Sequence, residues 1–166
     1  MSIKNYTKFI ESIGGIEYGC VMIDIPIDNW DDITSMIDKD QLFKLKGIEK
    51  RPHLTLFYGL HQEVTPDQVK SIFDNFEGDI DIEIDGIDVF ENEKFDVVKL
   101  NIKNNESLQY LNNELSKLPS TVEFTDYKPH MTIAFLNKGE GRKYVNRDYK
   151  ASFKNLNEII FTTANK

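Results

Sequence analysis

Only three histidines occur in this 166-residue chain, and two of them open the same short pattern. Arg51-Pro52-His53-Leu54-Thr55-Leu56-Phe57-Tyr58 aligns with Lys128-Pro129-His130-Met131-Thr132-Ile133-Ala134-Phe135. Each copy has a basic residue, a proline, His-apolar-Thr-apolar, and then an aromatic at the same offset. The copies lie 77 residues apart, close to half the chain. A lone His-x-Thr would say little; two copies with matching flanks, among so few histidines, are hard to attribute to chance. Two imidazoles and two hydroxyls suit the cleavage of a phosphodiester. An unperturbed imidazole titrates near 6.5, so at neutral pH one can act as base while the other acts as acid. One takes a proton from the attacking hydroxyl and the other gives one to the leaving oxygen. The threonines can donate to the non-bridging phosphate oxygens as charge builds. This chemistry needs no metal, and neither His-Glu-x-x-His nor Cys-x-x-Cys occurs, so no metal and no cofactor are expected.

The elements that must position these residues follow from the pattern of apolar residues. In a β-strand residues i and i+2 face the same side. His53 and Thr55 therefore project together, as do His130 and Thr132, while Leu54, Leu56, Met131 and Ile133 take the core side. Strands are predicted at 18–25, 51–60, 80–90, 95–102, 130–136 and 159–162, with Glu91-Asn92-Glu93-Lys94 turning a hairpin. Helices are predicted over Asn5 to Ile13, stopped by Gly14-Gly15; from a cap at Asp28 to about Ile37; after Thr65-Pro66; and from Glu106 to Leu118. The last two carry the apolar faces Val69, Ile72, Phe73, Phe76 and Leu108, Leu111, Leu115, Leu118. Interspersed helices and hairpin-like strands give an α+β class with largely antiparallel sheet. The internal repeat makes the chain a single bilobal domain over residues 1–166, two pseudo-twofold lobes around a central groove.

Composition limits the partners. With 28 Asp+Glu against 20 Lys+Arg the net charge is −8, which argues against duplex DNA or long RNA. A small anionic substrate needs only a local cluster of donors. The run Asp79-Ile80-Asp81-Ile82-Glu83-Ile84-Asp85 alternates as a strand with one solvated face does, rather than as a metal site. No stretch approaches the ~20 apolar residues that span a bilayer, and Met1 to Tyr6 shows no apolar signal core. The single cysteine, Cys20, reads as a small core residue in a reducing compartment. A cytoplasmic monomer without membrane attachment is expected.

The paired tetrads, His53-Leu54-Thr55-Leu56 and His130-Met131-Thr132-Ile133, resemble those of the 2H phosphoesterase superfamily, and the spacing and order of elements are similar across most of the chain. The resemblance implies a bilobal α+β fold with the tetrads on central strands. It also implies catalysis by His53 and His130 and phosphate binding by Thr55 and Thr132. Within the superfamily, three features look like the phage anti-CBASS phosphodiesterases, which degrade the cyclic di- and trinucleotides that trigger bacterial antiphage defence. These are the compact length, the opening Ser2-Ile3-Lys4-Asn5-Tyr6 helix leading to Tyr18-Gly19-Cys20, and the loop Lys138-Gly139-Glu140-Gly141-Arg142-Lys143-Tyr144. That likeness implies a cyclic nucleotide substrate, attack by the ribose 2′-hydroxyl on a 3′–5′ linkage, and residence in the infected host's cytoplasm.

Further candidates for substrate binding are Tyr18, Lys138, Glu140, Arg142 and Tyr144. Tyr18, Tyr58 and Tyr144 can stack on bases, and Lys138, Arg142 and Lys143 form a basic cluster near the second tetrad. The two glycines of that loop fit a lid closing over a nucleotide. Arg51 and Lys128 can add positive potential at the mouth, His61 reads as a loop residue and Trp30 as a packing residue. Two other functions fit the same residues: hydrolysis of 2′,3′-cyclic phosphates at RNA ends, and sequestration of a nucleotide without turnover.

Overall fold

Among the described residues, eight strands form two four-stranded sheets that meet along one edge of each. The structure, a computed structural model, describes residues 8–13 (backbone only), 18–122 and 126–164. The first sheet has the order β1-β8-β2-β3, from β1 (Lys8–Ile13), β8 (Glu158–Thr163), β2 (Gly19–Asp24) and β3 (His53–Leu60). The second has the order β6-β5-β4-β7, from β6 (His130–Asn137), β5 (Phe95–Ile102), β4 (Ile82–Glu91) and β7 (Asn146–Phe153). All pairings are antiparallel except β1 with β8. The architecture is α+β, bilobal and pseudo-symmetric, and the two motif strands, β3 and β6, are the edges that face one another.

The helices cross between lobes. The helix α1 (Trp30–Ser35) follows β2 in the chain yet approaches β6, while α3 (Glu106–Ser116) follows β5 and approaches β3. This exchange ties both sheets into one apolar core, which runs from Ile23 and Leu54 through Phe73 and Leu111 to Leu100 and Met131. The second helix, α2 (Pro66–Asp74), starts where its sequence dictates. Thr65 Oγ1 accepts the Gln68 N–H at 3.2 Å and Gln68 Oε1 accepts the Thr65 N–H at 2.9 Å, a complete capping box. In α3, Asn105 Oδ1 caps Leu108 N at 2.9 Å, and Leu108, Leu111 and Leu115 are fully buried.

Three expectations need correction. Residues 8–13 form strand β1, paired parallel with β8, not the end of a helix; the remainder of that predicted helix, 5–7, lies outside the described residues. A six-residue run with three apolar residues fits either state, and an open sheet edge decides it. The cap residue of α1 is Asn29 rather than Asp28, with no side-chain hydrogen bond at that end. The polar strand β7 escaped notice because an edge strand buries too little to alternate clearly. The acidic alternation in β4 does mark a wet face. Ile82 and Ile84 are buried, while Asp81, Glu83 and Asp85 pair with Lys154, Lys103 and Lys150.

Candidate active site

Both tetrads are assembled by the same local rules. Pro52 O accepts Ile25 N at 3.1 Å and Pro129 O accepts Ile102 N at 3.2 Å, so each proline continues its ladder through the carbonyl alone. One residue later the histidine turns its ring back: His53 Nδ1 lies 2.9 Å from Arg51 O, and His130 Nδ1 lies 2.9 Å from Lys128 O. A carbonyl only accepts, so Nδ1 carries a hydrogen in each ring and Nε2 is the atom left to take or give a proton. Matched tautomers thus follow from matched backbone.

A second shared device follows the threonine. The β2–β3 register slips between Val21↔Phe57 and Met22↔Thr55, and the β5–β6 register slips between Val98↔Ala134 and Lys99↔Thr132. Each motif strand therefore bulges at the apolar residue after its threonine, Leu56 or Ile133. The bulge reverses the alternation. Leu56 and Phe57 are both buried, as are Ile133 and Ala134, and Tyr58 and Phe135 come to the His/Thr side. The aromatic repeated at the same offset in the sequence has this structural cause.

The strands β3 and β6 come within 8 Å between Cα atoms, which sets the two motif strands side by side. The second imidazole is felt electrostatically: His130 sits below the usual histidine range, chiefly through burial, with smaller contributions from Lys99 and His53. The segment before each motif strand covers the other strand's edge. Phe43 and Glu49 donate backbone N–H groups to Phe135 O and Ile133 O at 2.9 Å. On the other side Thr121 N donates to Gly59 O at 2.9 Å, Tyr127 Oη to Thr55 O at 2.9 Å, and Asn112 Nδ2 to Leu56 O at 2.7 Å. Gly59 is required there, because at φ 131° a Cβ would stand 2.2 Å from Thr121 O.

The surroundings of the two pairs differ. Beside His53 and Thr55 stand Asp24 and Met22 on β2. Glu49 Oε1 lies 3.9 Å from His53 Nδ1, and Arg51, on the same side, is held by Asp24 at 2.6 Å. Cys20 packs against the Thr55 hydroxyl, and burial pushes its thiol up to about 12, so it is not a nucleophile at neutral pH. Beside His130 and Thr132 stand Asn101 and Lys99 on β5. Lys99 is 6% exposed, donates to Asn101 Oδ1, and lies 3.8 Å from the centroid of the Phe90 ring. Burial holds its ammonium below the usual lysine range. Phe90 in turn packs its ring against His130, perpendicular at 5.1 Å between centroids.

The structure does not bring the other predicted binding residues to this cleft. The eight residues of β6 put Asn137 about 23 Å from His130 along the strand. The loop beyond is tied down. Lys138 Nζ reaches Asn92 O at 2.7 Å, and Arg142 pairs with Glu91 at 2.5 and 2.9 Å. Asp96 Oδ2 accepts Gly139 N and Gly141 N at 3.0 and 2.9 Å, with Glu140 in the turn between them. Tyr144 Oη is fixed by Asp38 N at 2.9 Å and Gln41 Oε1 at 3.0 Å. These bonds hold the loop at the Asn137 end of β6, away from His130. Tyr18 meets the exposed Tyr58 at 5.8 Å and His61 at 6.1 Å, beyond the far end of β3 from His53. His61 is engaged by Thr121 Oγ1 at 2.8 Å, and Trp30 is a packing residue whose Nε1 donates to Glu49 O at 2.9 Å.

Sequence reasoning passed over Lys99, Asn101 and Phe90. Lys99 was discoverable, since a charge inside Val97-Val98-Lys99-Leu100 interrupts an otherwise buried run. Among the described residues no three His, Cys, Asp or Glu side chains gather as a metal set, and no helix is long and apolar enough to cross a membrane.

Comparison with known proteins agrees with this arrangement. Residues 27–159 match the family model of the 2′-5′ RNA ligase superfamily. No curated protein matches the chain in sequence. Among solved structures, one described as a phosphoesterase superposes with a TM-score of 0.57 at 16% identity, covering 88% of this chain and 87% of its own. Kluyveromyces marxianus Usb1 superposes with a TM-score of 0.56 at 9% identity, covering 89% of this chain and 98% of its own. At such identities the likeness is one of fold. The family match covers most of the chain and includes both tetrads, so the chain belongs to the 2′-5′ RNA ligase superfamily and is a phosphodiesterase of the 2H type.

Proposed function

We propose that the chain cleaves the 3′–5′ phosphodiester bonds of small cyclic oligonucleotides by His/His acid–base catalysis. The observation that supports the mechanism is the matched pair of Nδ1-anchored imidazoles, His53 and His130, on two motif strands that approach within 8 Å, each with Nε2 left to exchange a proton. One takes the proton of the ribose 2′-hydroxyl, whose oxygen attacks the adjacent phosphorus. The bond from phosphorus to the 5′-oxygen breaks, and the other histidine protonates that oxygen. A 2′,3′-cyclic phosphate results, and water can open it with the two roles exchanged. Thr55 and Thr132 donate to the phosphate oxygens as charge accumulates.

Two observations favour a small nucleotide over a polymer. The chain is acidic, with a net charge of −8, and Arg51, beside the cleft, is already paired with Asp24. Phe90 offers a partly exposed ring beside His130 for a base to stack on. Removal of such signals would blunt antiphage defence in a bacterial host, as the sequence resemblance implies. A second reading, hydrolysis of 2′,3′-cyclic phosphates at RNA ends, is favoured by the RNA that the family's description names.

The test is incubation with a panel of cyclic di- and trinucleotides and with an RNA ending in a 2′,3′-cyclic phosphate, in excess EDTA, products being resolved by chromatography. Cleavage of the cyclic oligonucleotides, lost in His53→Ala and His130→Ala, is the expected outcome. Turnover of the RNA end alone would select the second reading. Intact nucleotide recovered after denaturation would instead mark a sequestering protein. Continued cleavage of a 2′-deoxy analogue would exclude the internal nucleophile.

A further inference from the structure

We propose that Lys99 is the positioning residue that assigns the base role of the first step to His130, leaving His53 as the acid. The inference rests on the phosphodiesterase reading above and concerns what breaks the symmetry of its two half-sites. Lys99 pairs in register with Thr132 as Met22 pairs with Thr55, and Asn101 pairs with His130 as Asp24 pairs with His53. One half-site therefore has a cation where the other has a thioether. It has a neutral amide where the other has a carboxylate.

The lysine is built in rather than left on a flexible stem. Its Nζ is held by Asn101 Oδ1 and roofed by the Phe90 ring at 3.8 Å. Asn101 Nδ2 passes the tether on to Asp88 Oδ2 at 3.3 Å. The roof is the ring that packs on His130 at 5.1 Å. The Lys99 ammonium, the Phe90 ring and the His130 imidazole are thus packed in series. Burial is the main reason that His130 resists protonation, and the fixed positive charge of Lys99 adds to it in the same sense. A histidine kept neutral is ready to accept the proton of the attacking hydroxyl.

The other charges around the pair leave the assignment intact. From β4, Asp88 opposes Lys99, but its carboxylate is already engaged by the Val89 N–H at 2.8 Å and by Asn101. From the segment before β6, Lys128 lies 4.0 Å from Asp126 and adds positive charge. From β3, His53 is the remaining group. Around His53 the acids dominate: Glu49 stands at 3.9 Å, and Asp24 pairs with Arg51.

The test reads the two histidines separately in the full-length protein, with three histidine ring signals to assign. Lys99→Met copies Met22 into the second half-site. The His130 ring signal should then titrate at higher pH than in the wild type. The acid limb of kcat/KM on a 3′–5′-linked cyclic dinucleotide should move the same way, with a loss of roughly tenfold near pH 6 that shrinks at higher pH. Lys99→Arg should restore the wild-type limb. Asp88→Asn must shift both readouts to lower pH, because it removes the opposing charge. A purely structural lysine would lower activity equally at every pH. The inference is overturned by an unmoved His130 titration in folded Lys99→Met or, should that variant not fold, by an unmoved or raised titration in Asp88→Asn. The ring titrations stand without turnover, so an inactive wild type would sink the phosphodiesterase reading and leave this one to its own result.

Discussion

The two halves of the cleft share a backbone and differ in their neighbours. Each has a proline whose carbonyl keeps the ladder, a histidine ring folded back onto the carbonyl two residues earlier, and a bulge that brings a later aromatic to the same face. These common parts fix where the reacting atoms stand. The differences sit one strand away, Met22 and Asp24 against Lys99 and Asn101. Geometry is duplicated, whereas electrostatics are not. Repetition supplies a pair of like groups, and only a later departure from it can make one an acid and the other a base.

The most forceful way to break the comparison is to remove one imidazole at a time. His53→Ala and His130→Ala should each lower kcat by about 100- to 10,000-fold, the span of a lost general acid or base. Their difference appears with the leaving group. A nitrophenyl phosphodiester with its own 2′-hydroxyl nucleophile expels a phenolate that needs no proton, so it should recover much of the loss in His53→Ala and little in His130→Ala. Equal recovery in both would mean that the halves are interchangeable.

The threonines come next. Thr55→Val and Thr132→Val should each reduce kcat by roughly a hundredfold with little change in KM, as expected for donors that matter most in the transition state. Thr132 should be the more sensitive, because the Thr55 hydroxyl is already shared with Cys20. A change confined to KM would assign them to ground-state binding instead. Phe90→Ala is smaller again. It removes a stacking surface worth ~1–3 kcal/mol per base, so KM for a cyclic dinucleotide should rise by about tenfold. An abasic sugar-phosphate analogue should lose much less.

Much of this design was legible from the residues. The repeat identified both tetrads, and strand alternation paired each histidine with its threonine. Leu108, Leu111 and Leu115 marked α3, and Thr65-Pro66 marked α2, because capping and periodicity are local. What escaped depends on partners distant in the chain. Whether 8–13 is helix or strand depends on the edge of β8, and β7 is a strand only because β4 lies beside it. The glycines and cations of the basic loop are visible in sequence, but what they bond to is not. Asp96, Glu91 and Asn92, which tie it down, become its partners only in three dimensions. Lys99 stands out in sequence as a charge in a buried run, but its surroundings do not, since its neighbours come from three strands.

The smallest expected effect tests a structural side of the comparison. The edge of β6 is covered by backbone donors at Phe43 and Glu49, whereas the start of β3 relies on side chains, Tyr127 at Thr55 O and Asn112 at Leu56 O. Tyr127→Phe keeps the ring and removes one donor, leaving a carbonyl of the motif strand unmatched. Urea unfolding should show a loss of about 1 kcal/mol with an unchanged m-value, the ordinary worth of one hydrogen bond. Because Thr55 O is the lost partner's acceptor, amide exchange should quicken around β3 more than around β6. Equal quickening on both strands would show that the cleft opens as one unit rather than as two separately supported edges.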